Sequence, residues 1–86
     1  MGAAVMARKE TFFIIDVPAG TTARQWARRY SDKLGFDYDN ESKNRTKLLA
    51  WPYEISSVRL ALNLTANGVR FVTYRGNPEK ILGVSG

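Results

Sequence analysis

Two residue types are missing from this 86-residue chain, which contains no cysteine and no histidine. Their absence excludes disulfides, thiol nucleophiles, catalytic dyads that pair histidine with serine or cysteine, and zinc or haem sites built on thiolate or imidazole. No apolar run approaches the roughly 18 to 20 residues that a membrane-spanning helix requires. We therefore expect no metal, no other cofactor and no membrane segment.

The chain is also too short for two domains, because each half would bury too little surface to offset its chain entropy. Its composition, 44% hydrophobic and 24% charged, is that of a globular protein. We expect residues 1–86 to form a single domain, with residues 1–10 as a flexible N-terminal segment. The pair Arg8–Lys9 follows the first apolar residues, which reverses the order of a secretory signal, so we predict a cytoplasmic, intracellular protein.

The N-terminal half predicts one strand and one helix. Thr11–Val17 is dense in aromatic and β-branched residues, which is typical of a buried strand. Thr22 and Gln25 have the spacing of a capping box, which begins a helix, and Gly35 supplies the left-handed residue that ends one. An apolar stripe at helical spacing lies between them. Its members are Ala23, Trp26, Ala27, Tyr30 and Leu34.

The C-terminal half predicts strands. Segment 37–47 alternates polar and charged residues and predicts a mobile loop, and Leu48–Trp51 predicts a short edge strand because a proline follows it. Ser57–Arg75 alternates apolar and polar residues around an Asn-Gly pair, which predicts a β-hairpin, with a helix over Ser57–Asn67 as the alternative. Ile81–Val84 suggests one more short strand. The order β-α-β-β-β predicts an α+β domain with one helix packed on a mainly antiparallel sheet of about four strands.

The charge is uneven along the chain. Thirteen Lys and Arg against eight Asp and Glu give a net charge of +5, which favours acidic partners. The stretch 56–77 contains no acid at all. In the hairpin register, one solvent-facing surface of the sheet combines guanidinium, amide and phenol groups, which suit phosphate pairing and base stacking. These residues are Arg59, Asn63, Arg70 and Tyr74.

Two further basic groups lie outside the predicted hairpin. The outer face of the predicted helix carries Arg24, Arg28 and Arg29. Arg29 and Lys33 are four residues apart and repel each other, and a bound polyanion would reduce this repulsion. The predicted loop carries a third group. For every group, the alternative interpretation is an ordinary solvated surface. The loop residues are Lys43, Arg45 and Lys47.

Enzymatic chemistry is not expected from this chain. Its acidic cluster, 37–41, lacks the glycine and glutamate spacing of a calcium loop, and its glycines do not have the spacing of a phosphate-binding loop. We predict a small module that binds DNA or RNA, as a monomer or small homo-oligomer. The alternative is a protein-interaction module or small inhibitor that docks on an acidic partner surface, with an aromatic contact site. That site would consist of Trp51, Pro52 and Tyr53.

Overall fold

Six elements in the order β-α-β-β-α-β make up the described part of the chain. The structure is a computed structural model that describes residues 11–39 and 45–75. Neither helix in this part of the chain is long and apolar enough to cross a membrane. The elements are β1 (Phe12–Asp16), α1 (Ala23–Leu34), β2 (Phe36–Tyr38), β3 (Lys47–Pro52), α2 (Ser57–Ala66) and β4 (Arg70–Tyr74).

The four strands form one antiparallel sheet in the order β2-β3-β1-β4. The predicted α+β domain with a four-stranded antiparallel sheet is confirmed. The element order is that of the split βαβ, or ferredoxin-like, arrangement. Because unrelated functions share this arrangement, it carries no functional conclusion.

The strand β1 is apolar on both faces because the sheet buries side chains on both sides. On one face, Phe13 and Ile15 pack with the buried residues of α1 and α2, including Trp26. On the other face, a smaller cluster is also buried, although both helices lie on the first face. Its members are Phe12, Ile14, Leu49 and Trp51.

The helix α1 begins and ends where the sequence predicts. The Thr22 side chain accepts from the Gln25 amide (3.2 Å), and the Gln25 side chain accepts from the Thr22 amide (3.4 Å), which completes the capping box. Gly35 has a left-handed backbone (φ 89°) and donates to the Ser31 carbonyl (2.8 Å). A side chain at Gly35 would also lie 2.9 Å from Cδ1 of Ile55, so glycine is required there for space as well as for backbone conformation.

The hairpin predicted over Ser57–Arg75 is wrong in its first half, because Ser57–Ala66 is the helix α2. Leu60, Leu62 and Leu64 alternate with other residues, as they would in a strand. Leu60 and Leu64 are also one helical turn apart, and in the helix both are buried on the same face. Ser56 decides between them locally, since its hydroxyl accepts from the Arg59 amide (3.1 Å) and caps the helix. The Asn-Gly pair therefore ends α2 instead of turning a hairpin.

The predicted loop 37–47 is also corrected in part. Its first two residues, together with Phe36, form β2, which pairs with β3. Lys47, at the other end of that segment, begins β3. The remaining predictions about residues 1–10, 40–44 and 81–84 lie outside the described residues.

Candidate nucleic-acid interface

The outer face of α1 concentrates basic side chains. This face lies opposite the buried stripe that packs on the sheet, and all of its charged residues are exposed. Four of them are basic, and Asp32 is the single acid of the helix. The helical spacing of these residues in the sequence predicts that they share one exposed face, and the structure places them on it. We call this surface, defined by the following residues, the α1 basic face: Arg24, Arg28, Arg29 and Lys33.

The single acid of this face is engaged with the chain itself. The Tyr53 hydroxyl donates to Oδ1 of Asp32 (3.1 Å). Partial burial raises the pKa of the Tyr53 phenol, and the hydrogen bond to Asp32 and the negative charge of that carboxylate raise it further. Asp32 lies near the C-terminal end of α1, so the first two turns of the helix carry positive charge only.

A fifth basic residue extends the face beyond the start of α1. The amide of Ala23 donates to the carbonyl oxygen of Arg45 (2.9 Å), which fixes the Arg45 backbone at the N-terminus of the helix. The Arg45 side chain is exposed. A groove of about 780 Å³ runs between the 18–21 loop and α1, and Arg28 and Arg29 line it. Arg45 lines a smaller depression on the other side of the same loop residues.

Aromatic packing sets the orientation of this helix. The Trp26 ring stacks on Phe36 of β2 with 5.8 Å between centroids, and its centroid lies 5.3 Å from that of Tyr30. The Lys33 ammonium lies 6.0 Å from the Tyr30 ring centroid. Because Trp26 is buried, rotation of α1 would expose it, so the basic residues are held on the solvent side.

Two residues predicted for the basic sheet face lie on α2 instead. Arg59 is exposed in the first turn of α2. Asn63 is half-buried, and its Nδ2 donates to the carbonyl oxygen of Leu34 (3.1 Å), which ties α2 to the end of α1. Asn63 therefore has a structural role, and neither residue shares a surface with Arg70 or Tyr74 as the hairpin register required.

The sheet face away from the helices carries a smaller basic group. Arg70 and Tyr74 of β4 lie on it with Lys47 of β3, which forms an ion pair with Asp16. Tyr74 is 41% exposed and stacks on Phe12 with 5.9 Å between centroids. Of the described aromatic side chains on this face, Tyr74 alone is exposed, so the surface available for base stacking is small. Lys43 lies outside the described residues.

The predicted protein-contact site is corrected at its main residue. Trp51 is 1% exposed, because it belongs to the second buried cluster of the sheet, so it is not a surface anchor. Pro52 is half-buried, and Tyr53 is exposed but bonded to Asp32. The exposed apolar side chains that the hairpin interpretation placed in the core are Val58 and Leu62, on the outer side of α2.

The acidic cluster is only partly described. Asp37 uses Oδ1 to accept from the Tyr38 amide (3.0 Å), and Asp39 is 5% exposed. No group of three or more acidic side chains that could hold a metal ion is found in residues 11–39 and 45–75.

Comparison of the chain with protein families, with characterised proteins and with solved structures finds no match in any of the three. Function has to be inferred from the side chains that the fold brings together.

Proposed function

We propose that this protein binds nucleic acid through the phosphate backbone, with the α1 basic face as its main contact surface. The observation that supports the proposal is an exposed helical face with four basic residues and one acid, in which the acid already bonds to Tyr53. Three of the four basic residues are arginines, whose planar guanidinium groups pair with phosphate through two parallel hydrogen bonds.

The dimensions of the surface suit one strand of nucleic acid. From Arg24 to Lys33 the helix rises about 14 Å, at 1.5 Å per residue. One strand of a duplex presents a phosphate about every 3.4 Å along the axis, so this length corresponds to about four nucleotides. Arg45 lies beyond the N-terminal end of the same helix and adds a fifth contact. We therefore infer a site that neutralises about five phosphates.

Nucleic acid fits this surface better than an acidic protein does. Protein interfaces with stable partners have an apolar or aromatic centre that excludes water. The exposed positions of α1 contain only Gln25 besides the charged residues, and Tyr30 next to them is half-buried, so the face has no exposed apolar centre. Charge without an apolar anchor is typical of backbone contact with a polyanion.

Fluorescence anisotropy with labelled oligonucleotides tests the proposal. The purified protein is titrated into single-stranded DNA, single-stranded RNA and duplex DNA over a range of salt concentrations. We expect binding whose logarithm falls linearly with the logarithm of salt concentration. The absence of binding at low salt would contradict the proposal. Equal competition by polyglutamate would also contradict it, because it would favour an acidic protein surface as the partner.

A further inference from the structure

The two margins of the sheet differ in how they are protected. β2 forms one margin with only three residues, and the carboxylate of Asp37 accepts the amide hydrogen of Tyr38. Short strands and acidic side chains are common ways of preventing edge-to-edge pairing. β4 forms the other margin with five residues, of which four are exposed, and contains neither proline nor an acid. Among the described strands, β4 is thus the one suited to pair with another strand.

The backbone groups that face outward on β4 follow from the hydrogen bonding of β1. The amide of Val17, just beyond β1, donates to the Thr46 carbonyl (2.8 Å), just before β3. In an antiparallel sheet, the backbone groups of successive residues point alternately to the two neighbouring strands. The odd-numbered residues of β1 therefore form hydrogen bonds with β3, and the even-numbered ones form them with β4. Phe71 and Thr73 lie opposite odd-numbered residues of β1. Their amide and carbonyl groups therefore point to the margin of β4 that no strand in residues 11–39 and 45–75 covers.

We propose that β4 pairs antiparallel with β4 of a second copy of this chain, with the two-fold axis beside Val72. In this register Phe71 faces Thr73 of the second copy, and the two residues exchange backbone hydrogen bonds on each side of the axis. Val72 faces its own counterpart. Arg70 faces the ring of Tyr74 of the second copy, so the cations meet aromatic rings and not one another. The strand is therefore complementary to itself.

Exposed apolar side chains on β4 support the same interface. Val72 is 50% exposed and Tyr74 is 41% exposed, and both lie on the sheet face away from the helices. In the proposed register, the two Val72 side chains meet across the axis and are partly removed from water.

Sedimentation over protein concentrations from micromolar to about 1 mM tests this proposal. We expect a monomer–dimer equilibrium that strengthens with salt, because each copy carries +5 and salt screens the repulsion. Nucleic-acid binding through the α1 basic face is expected to weaken with salt, which separates the two proposals. Amide hydrogen exchange at Phe71 and Thr73 should slow as the dimer forms.

Three variants locate the interface. Val72→Lys places two lysines across the axis and should weaken the dimer by about tenfold or more. Thr73→Pro removes an outward amide without touching the pairing with β1, and it should also favour the monomer. Ala19→Lys adds the same charge at an exposed position in the turn before α1 and should leave the dimer constant nearly unchanged. A wild-type protein that stays monomeric over the whole range, or a dimer that Val72→Lys does not weaken, would overturn the proposal.

Discussion

Replacing Arg24, Arg28 and Arg29 with glutamine removes most of the positive charge of the α1 basic face. All three side chains are exposed, and glutamine is a good helix former, so the fold should be retained. The wild-type surface neutralises about five phosphates, which gives a slope of about −4.5 for the logarithm of affinity against the logarithm of salt. The variant keeps Lys33 and Arg45, and its slope should be about −1.8.

These slopes predict a large difference in one titration series. Between 50 and 200 mM salt, the wild-type protein should lose about 500-fold in affinity for duplex DNA, whereas the variant should lose about 12-fold. The affinity of the variant at low salt should also be lower, because fewer counterions are released when it binds. Anisotropy at four or five salt concentrations measures both quantities, and circular dichroism confirms that both proteins are folded.

A matched control separates the site from net charge. Arg59→Gln, Arg70→Gln and Arg75→Gln together remove the same three charges from α2, from β4 and from the residue after β4, away from the α1 basic face. This control should keep a slope close to that of the wild-type protein. If the salt dependence of binding becomes shallower by the same amount in the control and in the α1 variant, the binding depends on net charge alone. If the α1 variant keeps the wild-type slope, the assignment of phosphate contacts to α1 is wrong.

Further predictions concern the surroundings of the site. Gly35→Ala and Gly68→Ala both force alanine into a left-handed backbone (φ 89° and 69°), which costs about 1–2 kcal/mol at each position. Only at Gly35 does the new methyl group also meet the Ile55 side chain. Denaturant unfolding should therefore show a larger decrease in the free energy of unfolding for Gly35→Ala than for Gly68→Ala. Asp32→Asn removes the acid from the α1 basic face and should strengthen oligonucleotide binding about two- to fivefold at low salt, whereas unchanged or weaker binding would contradict the site. The Tyr53 phenol, whose pKa is raised, should titrate above the ordinary tyrosine value of 10.0 in an ultraviolet absorbance titration. The stability that its hydroxyl contributes should be complete below pH 10 and lost as the pH rises through its folded pKa, and Tyr53→Phe should remove that alkaline loss.

Local patterns in the sequence were sufficient for the first half of the fold. The apolar run of β1, the capping box at Thr22 and the glycine at Gly35 each act through neighbouring residues, so they can be recognised without knowing what packs on them. The α1 basic face follows from the same helical spacing. The absence of cysteine and histidine excluded thiol and imidazole chemistry from the outset.

Tertiary packing decided the second half, because a pattern with two compatible periods does not choose between them. The leucines of Ser57–Ala66 suit either a strand or a helix. In the fold, Leu60 and Leu64 pack in one buried cluster with side chains of β1 and α1, and the helix places both leucines on that one face.

The candidate site divides in the same way between local and non-local information. The sequence by itself determined the positive charge and its spacing along α1. Only the tertiary structure moved Arg59 and Asn63 away from Arg70 and Tyr74, buried Trp51, and brought Arg45 to the start of α1. These last placements depend on contacts between residues far apart in the chain, such as the bond from Asn63 to Leu34, and no local pattern specifies such contacts.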